Sequence, residues 1–330
     1  MIFSPSKMPK TGEFLFISGL VESGLKPSTD HKILTTLGIG DDAAMLQFEG
    51  SVTTATDLLL ENVHFRCDWS SPEQWVHKAF LRNVSDFNAM GAQAEKVLMV
   101  LCLNKTWDLE YKNRIQAQVK KCTKQYHLEL IGGDTSLGTV GFMALTLIGS
   151  TGCNPILRSN AKPGQNIYLT GSLGKSRAGY EVLKRGMLGY TELVRYHLEP
   201  CFSGWVGSFL ANSNEVVAGM DISDGLAQEL EHISIQSNVR LEVNVEALPC
   251  LDSVKQVAKA IDVKTEEFLL EAGEEYELLF TSSPDNGILK EIAVKYPITC
   301  IGRVAEGSGV HYFFNGNLMQ RQIYSGYTHF

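Results

Sequence analysis

Five times in this chain an apolar run is interrupted or ended by aspartate: at Gly40-Asp41-Asp42, Thr56-Asp57, Ser85-Asp86, Gly133-Asp134 and Asp221-Ile222-Ser223-Asp224. A carboxylate that folding draws out of water must be neutralised by a proton, a basic partner or a metal. Almost no Lys or Arg adjoins these motifs in sequence. The chain must therefore fold so that strand ends and turns carry acids to cations. Several hard metal ions, Mg²⁺ carrying a nucleotide phosphate, are the simplest common solution.

At 330 residues the chain exceeds the size at which one core usually stops growing, so two domains are expected. Strand and helix patterns alternate through the first half. Val52 to Thr56 reads as a strand ending on Asp57, and Ser71-Pro72-Glu73-Gln74 as a capping box with proline in the first helical position. The helix that follows carries Trp75, Ala79, Phe80, Val84, Phe87 and Met90 on one expected apolar face, stopped by Gly91. Strands are expected at 96–103, 128–131 and 141–149, the last apolar enough to be central or packed on both faces. Turn residues at Ser150 to Gly164 mark the boundary between domains 1–150 and 151–330. Beyond it the alternation restarts, with one strand at 216–220 delivering Asp221 to a helix that begins at Gly225.

A net charge of −8 argues against a nucleic-acid surface and against attraction to anionic lipid. No stretch reaches the length of a signal peptide core or a membrane span, so the cytoplasm is the expected compartment. Seven cysteines without a CxxC pair read as reduced thiols, and zinc ligation is not indicated.

Each acidic motif has a plain structural reading beside a functional one. Ser223 or Asp224 would serve as a helix cap, but one cap suffices, and a second carboxylate three residues away favours metal binding. The glycine turn bearing Asp41 and Asp42 is a solvated loop or a metal site. Asp57 is suggestive only in company, and Asp86 occupies either a solvent-facing helical position beside Asn83 or a half-buried one that needs a cation. Gly132-Gly133-Asp134 is a tight turn, or a backbone that approaches phosphate while Asp134 reaches a metal. Gly171-Ser172-Leu173-Gly174-Lys175-Ser176 fails the P-loop spacing because Leu169 stands where the first glycine should; a glycine turn before a helix N-terminus is what survives. His64 reads as a packed histidine or a phosphate donor, Arg158 as a surface charge or a phosphate clamp. The acids of Gly273-Glu274-Glu275-Tyr276-Glu277 read as a solvated strand entry.

Taken together GIGDDAA, TDLLLENVHF, NVSDFNAMGA, GGDTS, MDISDGL, GEEYELLF and the closing GYTHF resemble the thiamine-monophosphate kinases. These form a branch of the ATP-binding superfamily that includes aminoimidazole ribonucleotide synthetase and selenophosphate synthetase. The resemblance implies two α/β domains with mixed sheets, in an aminoimidazole ribonucleotide synthetase-like architecture that pairs as a homodimer. It implies transfer of the ATP γ-phosphoryl group to thiamine monophosphate, with no general base and no covalent nucleophile.

In those terms Asp42, Asp57, Asp86, Asp134, Asp221 and Asp224 hold several Mg²⁺ ions, with Thr56 and the Ala55 carbonyl assisting. The scheme also has room for a monovalent cation. Gly133, Asp134, Arg158 and Ser223 contact ATP, with Lys175 or the amides of its loop assisting. His64, Glu274 and Tyr324 position thiamine monophosphate. Three positions depart from the family's pattern: Ala55 for a hydroxyl residue, Glu275 for Asp, and Tyr324 where Trp is common. Rival readings are a related enzyme acting on a purine precursor or on selenide, and a non-catalytic nucleotide- or metal-binding protein. Selenide chemistry would need an activated thiol, and Cys67 has only Arg66 beside it.

Overall fold

The computed structural model describes residues 32–37, 44–151, 154–201, 206–213, 215 and 217–319. The chain divides into two compact units, one of residues 1–87 with 93–151 and one of residues 88–92 with 152–330.

In the first unit β1 (Ile33–Leu37) and β2 (Met45–Phe48) form an antiparallel pair. Next come β3 (Val52–Leu60), α1 (Pro72–Ala89), β4 (Ala92–Asn104), α2 (Leu109–Gln125), β5 (Glu129–Gly138) and β6 (Phe142–Thr151). The four longer strands make one mixed sheet in the order β3-β6-β4-β5, antiparallel between β3 and β6 and parallel between β4 and β5. The strand expected to be central, β6, is an inner strand. Two expected strand ends move. Both β3 and β5 run on past their aspartates, so Asp57 and Asp134 sit inside strands.

The capping box forms as expected: Ser71 N–H donates to Gln74 Oε1 at 2.9 Å, and Gln74 N–H to Ser71 Oγ at 3.4 Å. The helix it starts does not have a single apolar face. Trp75, Val76, Phe80, Leu81, Val84 and Phe87 are fully buried, and so are Lys78, Asn83 and Ser85 on other sides. A helix enclosed all round can keep polar side chains only if each finds a partner. Asn83 donates to the Ala79 carbonyl at 3.0 Å and accepts the Asp57 N–H at 3.1 Å.

In the second unit the elements are β7 (Asn166–Thr170), α3 (Lys175–Arg185), α4 (Thr191–Leu198), α5 (Val206–Ala211), β8 (Gly219–Asp221), α6 (Leu226–Ser237), β9 (Arg240–Asn244), α7 (Asp252–Ala260) and α8 (Thr265–Leu270). They are followed by β10 (Leu278–Ser282), α9 (Ile288–Lys295), β11 (Ile298–Ala305), β12 (Gly309–Phe314) and β13 (Asn317–Leu318). The sheet order is β13-β12-β9-β11-β7-β10-β8, with β9 and β12 parallel and the other pairs antiparallel. One core joins Leu169, Met220, Ile222, Leu226, Leu230, Leu241, Phe268 and Leu279. A second gathers Tyr168, Val206, Leu210 and Phe280 with Ala89. Strand β8 is short and lies at the sheet edge, so its last residue, Asp221, leaves the sheet directly into a turn.

Gly149 lies where β6 passes β4: a Cβ there would meet the Gln93 carbonyl oxygen at 2.0 Å and the Ala94 Cα at 2.8 Å. Gly149→Ala should destabilise the protein by about 2 kcal/mol or more, since backbone on a neighbouring strand cannot yield cheaply. Gly287→Ala, with open space around the added carbon, should stay within about 0.5 kcal/mol of the parent. Urea unfolding of the two variants checks this contrast, and equal midpoints would refute it.

Candidate functional site

The Asp221-to-Asp224 segment is a turn between β8 and α6 whose backbone is closed by hydrogen bonds. Ile222 N–H donates to the Glu277 carbonyl at 2.9 Å, and the Ile222 carbonyl accepts from Glu275 N–H at 3.1 Å and Tyr276 N–H at 3.0 Å. The Ser223 carbonyl accepts from Glu274 N–H at 2.7 Å. Neither Ser223 nor Asp224 caps the helix, because the N-cap is Gly225 and no side chain bonds there. The donors of the turn go instead to Glu229, in the first turn of α6, whose Oε1 accepts from Asp224 N–H at 2.9 Å and Ser223 N–H at 3.3 Å. Burial, together with the charges of Asp221 and Asp224, pushes the Glu229 carboxyl up to about 7. Nothing in the sequence marked Glu229; its place in a helix reads as an ordinary solvent-facing acid.

The 273–277 segment is not a solvated strand entry. Glu275 and Glu277 are buried at 0% and 1% exposure. Glu275 Oε1 accepts from Ser176 N–H at 3.0 Å, so it fills the N-terminus of α3, and its Oε2 has no hydrogen-bond partner among the described residues. Glu277 accepts from Thr170 Oγ1 at 2.8 Å and from Lys175 Nζ at 3.2 Å, while Lys175 also lies 4.0 Å over the Tyr196 ring. The glycine turn before α3 thus carries its own internal anions where a phosphate was one reading. Glu274, the more exposed acid of the three, has Oε2 3.8 Å from His197 Nδ1.

In the first unit Asp57 does have a basic neighbour, which sequence adjacency could not show: Arg82, at 3.7 Å, one helical residue before the Asn83 that fixes the Asp57 backbone. Asn83 is buried. Thr56 points to the opposite face of β3 from Asp57 and Ala55, where its hydroxyl meets that of Thr146 at 2.8 Å. Asp86 is half-buried in α1. Asp134 is exposed, and its carboxylate accepts the following Thr135 N–H at 2.9 Å.

Gly133 has a packing reason, since a Cβ there would fall 1.8 Å from the Met99 carbonyl oxygen of β4. His64 Nδ1 accepts from Leu60 N–H at 3.0 Å. Cys67 donates to Glu61 at 3.2 Å, and burial with that acid pushes the thiol up, away from an activated nucleophile. Arg158 is exposed in the second unit, its carbonyl accepting from Ser237. Asp42, Tyr324 and one of the seven cysteines, Cys153, lie outside the described residues.

Among the described residues no group of three or more His, Cys, Asp or Glu is placed to hold a metal ion by itself. The Asp221–Asp224 turn offers a pair of carboxylates, the number that a nucleotide-bound Mg²⁺ would take from a protein. Also among the described residues, no helix is long and apolar enough to cross a membrane.

The chain matches the family models described as AIR synthase related protein, N-terminal domain, over residues 40–151, and AIR synthase related protein, C-terminal domain, over residues 162–314. It is similar to the thiamine-monophosphate kinase of Leptospira interrogans, 34% identical over 93% of this chain and 98% of that one. The thiamine-monophosphate kinase of Aquifex aeolicus is 31% identical over 98% of this chain and 100% of its own. Among solved structures, thiamine-monophosphate kinase from Stenotrophomonas maltophilia K279a aligns with a TM-score of 0.79 at 28% identity, covering 93% and 98% of the two chains. AaThiL complexed with AMPPCP and TMP aligns at 0.74 and 27% over 100% of both chains.

Burial pushes the Glu275 carboxyl up to about 8, opposed by Lys175 and reinforced by Glu277. The folded state therefore keeps a proton that the unfolded chain releases near 4.5. Between about pH 5 and 8 the folded state binds more protons, so this group makes stability fall as pH rises, by at most about 1.4 kcal/mol per pH unit. Thermal unfolding across that range should show a shallower fall in Glu275→Gln than in the parent; identical slopes would contradict it.

Proposed function

This chain belongs to the thiamine-monophosphate kinases, a family of AIR synthase related proteins, and from that membership we propose that it transfers the γ-phosphoryl group of ATP to thiamine monophosphate, giving ADP and thiamine diphosphate. The observation that carries the reading is the end-to-end likeness to thiamine-monophosphate kinases in sequence and in fold.

Phosphoryl transfer asks a protein for alignment and charge neutralisation more than for covalent chemistry. Mg²⁺, when bound, screens the phosphate oxygens from one another and from the acids around them. In this reading Asp42, Asp57, Asp86, Asp134, Asp221 and Asp224 hold the ions, with the backbone of Ala55 and Thr56 assisting. A monovalent cation is compatible with the same acids. Gly133, Arg158 and Ser223 bind ATP, and His64, Glu274 and Tyr324 position the acceptor. Lys175 is left out of the ATP contacts because Glu277 and Tyr196 already engage it.

The acceptor is itself a phosphate, ionised near neutral pH, so no strong base is required. We read His64 as a binder rather than a base; its Nδ1 accepts from the Leu60 N–H, which places the proton of the neutral ring on Nε2. We further assign the protein to the cytoplasm and expect it to act as a homodimer, with domain 1–150 serving ATP and Mg²⁺ binding and dimerisation and domain 151–330 contributing further ATP, metal and substrate residues.

With Mg²⁺-ATP, ADP release should appear with thiamine monophosphate and be absent with thiamine or an aminoimidazole precursor. Asp224→Asn and Asp57→Asn should each lower turnover at least a hundredfold while melting within a few degrees of the parent. Parent-like turnover in either purified variant would remove the metal role, and activity on thiamine alone would overturn the acceptor.

A further inference from the structure

The turn between Asp221 and Asp224 is closed on one side by the backbone of residues 274–277 and on the other by one side chain, Glu229. Three donors converge on a single oxygen of that side chain. Glu229 Oε1 accepts from Asp224 N–H at 2.9 Å, Ser223 N–H at 3.3 Å and Ser223 Oγ at 3.4 Å. The residue is 1% exposed. In the first turn of α6 its Cα–Cβ bond tilts back towards the helix N-terminus, which is what lets a glutamate reach the turn before the helix. Gly225, the N-cap, has φ 145 and contributes no side-chain cap, so the chain enters α6 through a conformation open to glycine and gains nothing there to fix the preceding residues.

We infer that Glu229 is a positioning residue: by accepting the Ser223 and Asp224 amides on one oxygen, it sets the spacing and direction of the Asp221 and Asp224 carboxylates for the metal-bound nucleotide. This rests on the reading of those two aspartates as metal ligands. Glu229 acts as a hydrogen-bond acceptor of a particular length, and its negative charge is not the working property. Because all three contacts fall on one oxygen, a glutamine of the same length offers the same acceptor without charge. Aspartate keeps the charge but is one methylene too short. The other wall of the turn makes the same division of labour, since residues 274–276 hold it through backbone N–H groups.

The test compares the parent with Glu229→Gln and Glu229→Asp. Isothermal titration calorimetry measures Mg²⁺ binding in the presence of a non-hydrolysable ATP analogue, ADP release is followed over a range of Mg²⁺ concentrations, and thermal melts report folding. Glu229→Gln should bind Mg²⁺ within about threefold of the parent, while Glu229→Asp should weaken binding and raise half-saturating Mg²⁺ at least tenfold. The reverse order, with Asp near the parent and Gln impaired, would show that charge matters and overturn the assignment. Two variants that both match the parent would overturn it as well, as would two that lose binding alike. A parent that binds no Mg²⁺ with the analogue would overturn the phosphotransfer reading and this inference together, whereas a parent that binds normally isolates the fate of Glu229.

Discussion

Buried and half-buried glutamates that accept backbone N–H groups are the interaction on which the turns of both units depend. A turn cannot pair its own amides as a helix or sheet does, and a buried amide left unpaired costs about 1–3 kcal/mol. Glu61 accepts Gly141 N–H at 2.6 Å, Glu95 accepts Ile33 N–H at 2.9 Å, and Glu215 accepts Ser283 N–H at 2.8 Å. Glu229 and Glu275 do the same for Asp224 and Ser176. Most of these carboxyl groups are held by several donors at once: Glu61 also takes Asn104, and Glu215 also takes Gln165, Ser282 and Asn286, whereas Glu275 is held through one oxygen by the Ser176 amide. Such convergence offsets the desolvation of the acid.

This network also explains two backbone oddities. Glu274 and Tyr276 have φ of 55° and 53°, a left-handed conformation that costs a side-chain-bearing residue roughly 1–3 kcal/mol. It persists because the surroundings over-determine it. The amides of residues 274–276 are all donated to the 222–223 carbonyls, and the side chains of Glu275 and Glu277 are anchored to α3 and β7. Strain here is the means by which one short segment closes the Asp221–Asp224 turn with its backbone and grips the sheet with its side chains.

The sequence made the aspartates legible and the glutamates opaque, for a physical reason. An aspartate beside glycine at the end of an apolar run conflicts with its neighbours, and conflict can be seen locally. Glu229 in a helix and Glu275 before a strand conflict with nothing nearby, since glutamate is at home in exposed helices. Their burial is imposed by elements far away in the chain, Ser176 lying 99 residues from Glu275. The same limit concealed the Arg82 beside Asp57 and led to a one-faced reading of α1, whose polar residues are enclosed by tertiary packing that no periodicity reports. Capping chemistry at Ser71 and Gln74, being wholly local, was readable in full.

The glycine turn at 171–174 shows why a motif must be judged by what already fills it. A helix N-terminus attracts anions because its first amides are unpaired. At α3 the Ser176 amide is taken by Glu275, and the nearby cation Lys175 is paired with Glu277 and stacked on Tyr196. Gly171 is glycine because a Cβ there would lie 2.0 Å from the Glu277 carboxylate. The turn is thus shaped around internal glutamates, and a phosphate would have to displace a buried acid to use it. The Asp221–Asp224 turn is the converse case: its Ser223 and Asp224 amides are met by Glu229, its Ile222 amide by the Glu277 carbonyl, and its Ile222 and Ser223 carbonyls by residues 274–276. A ligand there would be met chiefly through the aspartate side chains, which is the ground on which the turn is proposed as a seat for cations.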